Sequence, residues 1–253
     1  MALRYVALGD SSTEGLDDPY DDGRGWRGWA DRFAEHLAVT HPNLEYANLA
    51  VRGRLVRQVL DEQLPVALAL QPDVATVFAG VNDALRPGFD LAGVVADLEH
   101  LMGALTATGC QVLTITTPDP SAVMPIARRL VPRIAAYNAG VRLAAERTGA
   151  VVADVAAHPV GRDRRLWSPD RLHANSLGHE RIAAGLAAAA GLPGSDDGWT
   201  LALPEHARRP AATVLREEAV WLRRHFAPWV LRRLRGRSSG DGVQPKRPVP
   251  RPL

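Results

Sequence analysis

Residues 4–12 read Arg-Tyr-Val-Ala-Leu-Gly-Asp-Ser-Ser. A mostly apolar run of strand length passes straight into a glycine, then into small polar residues that suit a tight turn or a helix start. A strand buried on both faces reads as such a near-continuous apolar run, because helices cover both sides of a parallel sheet. The remainder of the chain repeats the pattern. After a first strand at Arg4–Leu8, further strands are expected at Leu44–Leu49, Val74–Ala79, Val112–Thr116 and Ala150–Val155. Helical patterns fall near Trp26–Val39, Val56–Leu70, Leu91–Thr108 and Pro125–Thr148, with a fifth at Ser176–Ala190. Gly109, Gly149 and Gly191 each follow a helical pattern, where a left-handed residue would end it. This alternation predicts an α/β fold built on a parallel, five-stranded, doubly wound sheet.

The chain has 253 residues, enough for one large domain or two small ones, and its 46% hydrophobic content argues against global disorder. Net charge is +2, an average that hides an asymmetry. Residues 1–204 carry 18 arginines and 24 acids, net −6, whereas residues 205–253 carry 12 Lys and Arg against 4 acids, net +8. A basic tail is thus joined to a mildly acidic body, which hints at a separate partner for the tail. The lone Cys110 excludes an internal disulfide framework and a cysteine-based zinc cluster, and it reads as a small core hydrophobe. The first residues do not have the build of a signal peptide, and no stretch approaches 18 apolar residues. The expected setting is soluble, reducing and cytoplasmic.

In open α/β sheets, functional groups gather at the carboxyl ends of the strands. Those ends hold Gly9-Asp10-Ser11-Ser12, Asn48 to Gly53, and Gly80-Val-Asn82-Asp83, while the loop before the fifth helix holds Asp170-Arg-Leu-His173. A serine, a glycine amide, an asparagine amide, a carboxylate and an imidazole are the parts needed for acyl transfer. The serine needs a base, the base an orienting carboxylate, and the oxyanion a set of N–H donors. A spacing of three lets Asp170 reach Nδ1 of His173 and leave Nε2 facing Ser11. The N–H groups of Ser11 and Gly53 and the side chain of Asn82 would supply three oxyanion donors. Asp83 is expected to support its turn. There is no Gly-x-Ser-x-Gly elbow, so an ordinary α/β-hydrolase is not indicated.

These four segments, in this order, resemble the sequence blocks of the SGNH hydrolases, the GDSL lipase/esterase superfamily. Gly9-Asp10-Ser11 is similar to the nucleophile block, Gly53 to the block-two glycine, Gly80-x-Asn82-Asp83 to block three and Asp170-x-x-His173 to the last. Asn175-Ser-Leu-Gly178-His179 resembles the start of the family's closing helix. The resemblance covers roughly residues 4–190 and departs at Ala174, where many members have proline. It implies a flavodoxin-like three-layer α/β/α sandwich and a serine esterase acting through an acyl-enzyme. Ser11 would be the nucleophile, His173 the base and Asp170 its partner, with Ser11, Gly53 and Asn82 forming the oxyanion hole. The substrate would be a small-molecule or lipid ester. Carbohydrate O-acetylesterase or acyltransferase activity on the same site is the alternative within enzymes, and a non-catalytic module acting through the basic tail is the alternative outside them.

No cofactor or metal is expected. His36, His41, His100, His158, His206 and His225 show no metal-ligand spacing, and His179 reads as a packing or hydrogen-bonding residue on its helix. Asp17-Asp18-Pro-Tyr-Asp21-Asp22 lacks the ligand pattern of a calcium loop and reads as solvated. Trp26 and Trp29 are expected in the core or in a pocket wall. The division by composition is 1–195 as hydrolase domain, 196–235 as linker and basic amphipathic helical extension, and 236–253 as a disordered Pro/Arg-rich tail. Within the extension, Glu205–Phe226 reads as a helix and Val230–Arg235 as a short second one beyond Pro228. Its interleaved Trp, Leu and Arg suit docking on the body or on another subunit, or membrane-surface contact through residues 221–235. No nucleic-acid partner is expected, and the sequence is silent on oligomeric state.

Overall fold

The computed structural model describes residues 2–205, 210–235 and 238–253. Strands form at β1 (Arg4–Gly9), β2 (Glu45–Asn48), β3 (Val74–Phe78), β4 (Gln111–Ile115), β5 (Val151–Ala153) and β6 (Arg247–Pro252), in the sheet order β5-β4-β3-β1-β2-β6. The first five are parallel, with β1 between β2 (Arg4 opposite Glu45) and β3 (Tyr5 opposite Val74). Order 2-1-3-4-5 among them is that of a flavodoxin-like sheet, whose topological switch point lies between β1 and β3.

Alternation of side chains across the sheet builds one core on each face. Val6 and Leu8 enter the core that also holds Val59, Leu98 and Tyr137, under helical segments 56–70, 91–106 and 131–148. Tyr5 and Ala7 enter the opposite core with Trp29, Phe33 and Leu186, under helices Gly28–Thr40 and Ser176–Ala189. Trp29 is therefore a core residue. Its indole N–H donates to the Ser12 hydroxyl. His179 is also structural: Nδ1 accepts from the Trp29 N–H and Nε2 donates to the Leu16 carbonyl, and burial drives its pKa down to about 4. Asp18 departs from the expectation of a solvated loop, being buried in an ion pair with Arg32.

Two helices take in a proline beyond their first turn, and both widen ahead of it. Residues Val59–Gln63 form a π turn before Pro65, and Leu222–Phe226 form another before Pro228. Proline has no N–H to donate and its ring presses on the carbonyl four residues back; an i→i−5 turn relieves both. This is why the break expected at Pro228 does not occur and the helix runs from Ala211 to Leu234. The earlier part of the helix expected from Glu205 includes residues 206–209, outside the described residues.

The C-terminal residues correct two expectations. The sheet has six strands rather than five, because β6 pairs antiparallel with β2, placing Tyr46 opposite Arg251 and Asn48 opposite Arg247. Residues 238–253 are accordingly not a disordered tail, although little of their apolar surface is buried. Polar anchors supply the order instead. The Lys246 ammonium donates to the carbonyls of Trp26 and Arg27 and pairs with Asp31 at 2.7 Å, while the Arg247 guanidinium donates to the Tyr46 carbonyl. No helix among the described residues is long and apolar enough to cross a membrane.

Candidate active site

β1 delivers Ser11 to the switch point through a turn with no room for side chains. A Cβ on Gly9 would collide with the Thr13 side chain and the Phe78 carbonyl oxygen. The Gln63 carboxamide grips the same glycine twice, accepting from its N–H and donating to its C=O, both at 2.9 Å. Asp10 caps the short helix Ser11–Glu14 by accepting from the Ser12 N–H. Ser11 thus stands at the first helical position, where its own N–H has no partner within the helix.

The loop before the closing helix carries Asp170 and His173. Oδ1 of Asp170 accepts from the Ser168 hydroxyl (2.6 Å), the Leu172 N–H (2.8 Å) and the His173 N–H (3.0 Å). That leaves Oδ2 for the ring of His173, whose Nδ1 lies 2.7 Å away. With Nδ1–H donating to the carboxylate, Nε2 is the free acceptor, and the Ser11 hydroxyl donates to it at 2.8 Å. Serine, imidazole and carboxylate form one chain of hydrogen bonds.

The electrostatics match that order. Burial works against the Asp170 charge, but hydrogen bonds from His173 and Ser168 outweigh it and hold the carboxyl well below the usual carboxylate range. Burial likewise opposes a charge on His173, yet the hydrogen bond and charge of Asp170, with Asp17 and Asp10 behind, raise its pKa above the ordinary histidine value. An imidazole so placed welcomes the proton that an attacking serine gives up.

Asn82 sits beside the serine, but both protons of its amide are engaged. Nδ2 donates to Asp10 Oδ2 at 2.9 Å and to the Arg54 carbonyl at 3.2 Å. Asp83 supports the neighbouring turn by accepting from the Val56 N–H. Gly53 has φ +77°, a conformation open to glycine, and a Cβ there would strike the Ser238 hydroxyl from the C-terminal segment. It does not line the cavity beside Ser11, whereas Asn82 does. That cavity, about 100 Å³, runs inward from Ser11 and His173 between Phe78, Ile115, Val155, Val160, Ile182 and Trp199. Trp26 and Trp29 have no part in its wall. Among the described residues, Asp17, Asp170 and His173 form a group spaced closely enough to hold a metal ion, but His173 Nδ1 already faces Asp170.

Some contributors to this geometry escape a local reading. Gln63 follows the exposed Asp61 and Glu62 but is itself buried on the face of Val59, Leu60, Leu64 and Ala67, and its place on that apolar face is its only signal. Ser168 has a local signal, two residues before Asp170. Arg171, between Asp170 and His173, is buried and paired with Glu218 across 47 residues of sequence, which no spacing could announce.

A serine, an imidazole and a carboxylate hydrogen-bonded in a chain at the switch point of a flavodoxin-like sheet agree with the arrangement that the SGNH resemblance implies. Residues 7–181 match the GDSL-like lipase/acylhydrolase family, and the chain belongs to it. The fold is shared with an alpha/beta hydrolase enzyme from the metagenome of Lake Arreo, Spain (22% identity, 76% of this chain and 97% of that one, TM-score 0.63). It is shared also with a lipase from a goat rumen metagenome (19%, 77% and 100%, 0.62) and an acetyl xylan esterase from Geobacillus stearothermophilus (18%, 75% and 95%, 0.63). A comparison with curated proteins finds no match. The chain is by family an ester-bond hydrolase, and the non-catalytic reading is not favoured.

Proposed function

We propose that Ser11, His173 and Asp170 hydrolyse carboxylic esters through an acyl-enzyme. The observation that carries this reading is the unbroken chain Asp170–His173–Ser11 at 2.7 and 2.8 Å. Ser11 Oγ attacks the ester carbonyl while its proton passes to Nε2 of His173, with Asp170 holding the resulting imidazolium. Collapse of the tetrahedral intermediate breaks the bond to the alcohol, which leaves with the proton from His173. Water, deprotonated by the same nitrogen, then releases the acid. The Ser11 N–H and the Asn82 amide, both beside the cavity, stabilise the oxyanion, and the Gly53 N–H, from a residue outside the cavity lining, is the third donor that the family resemblance implies. For Asn82 this requires trading its bond to Asp10 or to the Arg54 carbonyl for one to the substrate. Ser11→Ala is expected to lower kcat on p-nitrophenyl butyrate by about 10³ or more and to abolish labelling by a fluorophosphonate. Unchanged turnover would remove the mechanism.

The apolar cavity beside Ser11 suits the acyl part of the ester better than a sugar. Its volume is somewhat below the roughly 150 Å³ of an apolar cavity that takes up benzene, so it accepts a chain of a few carbons. Turnover of butyryl esters above both acetyl and decanoyl esters supports this. A preference for acetylated sugars contradicts it. Membrane contact through residues 221–235 has a narrower basis, because Trp221 is buried, while Leu222 and Leu231 are exposed near Arg223 and Arg232. Liposome flotation of the full chain against the double variant Leu222→Ser, Leu231→Ser tests it.

A further inference from the structure

Three contacts tie the segment beyond the family match to the loop that carries the base. The Trp221 indole N–H donates to the Asp170 carbonyl at 2.9 Å. Its ring lies under the Arg171 guanidinium, 4.5 Å from centroid to Cζ. Glu218 clasps the same guanidinium with both carboxylate oxygens, each at 2.6 Å. Both partners stand on the helix from Ala211, some thirty residues past the end of the family match at 181.

The loop has reason to need them. Arg171 has φ +64°, a left-handed conformation that a residue with a Cβ keeps only where its surroundings impose it. Its side chain is 1% exposed, and a buried guanidinium demands a countercharge. The internal ties of the loop, such as the Ser168 N–H donating to the His173 carbonyl and the Arg171 N–H to the Ser168 carbonyl, close the turn. They do not seat it against the body. The Asp170 carbonyl that Trp221 holds belongs to the residue whose carboxylate aims His173, so a shift of that carbonyl moves the base. Misplacement of a reacting group by about 1 Å can cost about a hundredfold in rate.

We propose that Glu218 and Trp221 are positioning residues of the hydrolase. Acting through Arg171 and the Asp170 carbonyl, they hold the Asp170–His173 pair in reach of Ser11, so the basic extension is part of the working enzyme. The proposal rests on the reading of Ser11, His173 and Asp170 as the reacting groups, which Ser11→Ala, run beside it, tests separately.

The experiment uses the full chain and p-nitrophenyl butyrate across a pH series. Trp221→Phe keeps the ring over Arg171 and removes only the N–H; Glu218→Gln keeps the shape and removes the charge. Leu215→Ala, exposed on the same helix, is the control. Trp221→Phe and Glu218→Gln are each expected to lower kcat about tenfold, and the pair about a hundredfold, with KM within about twofold. Glu218→Asp is expected to recover part of the loss. The groups facing His173 are Asp170, Asp17 and Asp10, with Ser11 at Nε2 and His179 beyond. Loosening Asp170 lowers the histidine pKa, so the acidic limb of kcat/KM moves to lower pH. Wild-type kcat in Trp221→Phe and Glu218→Gln, beside an inactive Ser11→Ala, overturns the proposal and leaves the triad standing. So does a loss of kcat with an unmoved acidic limb, or one that only follows the fraction of protein still folded by circular dichroism. Full turnover by Ser11→Ala removes the triad itself.

Discussion

Replacing Asp170 by asparagine separates the two jobs of that side chain. Oδ1 accepts three hydrogen bonds, from Ser168, Leu172 and His173, that build the loop, and the asparagine carbonyl can keep all three. Oδ2 accepts the bond from His173 Nδ1, and there the variant presents an amide NH₂, a donor facing a donor. The imidazole resolves the clash by moving its proton to Nε2, so that Nδ1 accepts. Nε2 then points a proton at the Ser11 hydroxyl and can no longer take one from it. Loss of the right tautomer in a serine triad lowers kcat by about 10⁴, or about 5.4 kcal/mol of transition-state stabilisation. Initial rates on p-nitrophenyl butyrate at pH 8, with thermal melts by circular dichroism, give the answer. The variant is expected to fold, because the loop's bonds survive. It also loses a pH-linked contribution. The native Asp170 pKa lies below its unfolded value, so its charge stabilises the wild type above the ordinary carboxylate pKa, and this is lost as pH falls through the lowered native value. A folded variant within tenfold of wild-type kcat would refute the assignment of Asp170.

Other perturbations read other parts of the site. Gln63→Ala strips two hydrogen bonds from the buried backbone of Gly9 and is expected to cost about 2–4 kcal/mol in a denaturant melt, with a fall in kcat as the Ser11 turn loosens. Trp199→Phe trims the end of the cavity and removes an indole N–H that finds no acceptor among the described residues. Its melt should shift little, while kcat/KM for hexanoyl over butyryl esters rises several-fold. Because His173 must be neutral to accept a proton and its pKa is raised, the acidic limb of kcat/KM should lie above the ordinary histidine value, about 6.5. The same shift stabilises the fold below the unfolded histidine pKa and is lost as pH rises through the native one.

Periodicity and turn chemistry made the body of this fold legible. β1, β3 and β4 are near-continuous apolar runs, because burial on both faces leaves little polar within them beyond Thr76 and Thr114, and β1 and β3 lead into the segments at the switch point. Asp170 and His173 were visible because their contact is local, three residues apart. What escaped was long-range. The break read at Pro228 is absent because the i→i−5 turn ahead of that proline compensates in backbone geometry, as another does ahead of Pro65. β6 carries a proline at every second position and buries little, so it has none of the signals of a strand; its order comes from Lys246 meeting two carbonyls and Asp31 more than two hundred residues away. Gln63 and the Arg171–Glu218 pair belong to the same class, polar groups whose meaning is set by a partner distant in sequence.

The prolines of β6 have one more effect. β2 would otherwise be the rim of the sheet, with a ladder of backbone groups open to any passing chain. Arg247–Pro252 covers it with a strand in which Pro248, Pro250 and Pro252 have no N–H to offer. The new rim is half empty of donors and studded with Arg247 and Arg251, a poor template for a further strand. Removing the last seven residues would bare β2 again, and the shortened chain should self-associate on storage where the whole one stays dispersed, a difference that light scattering would register.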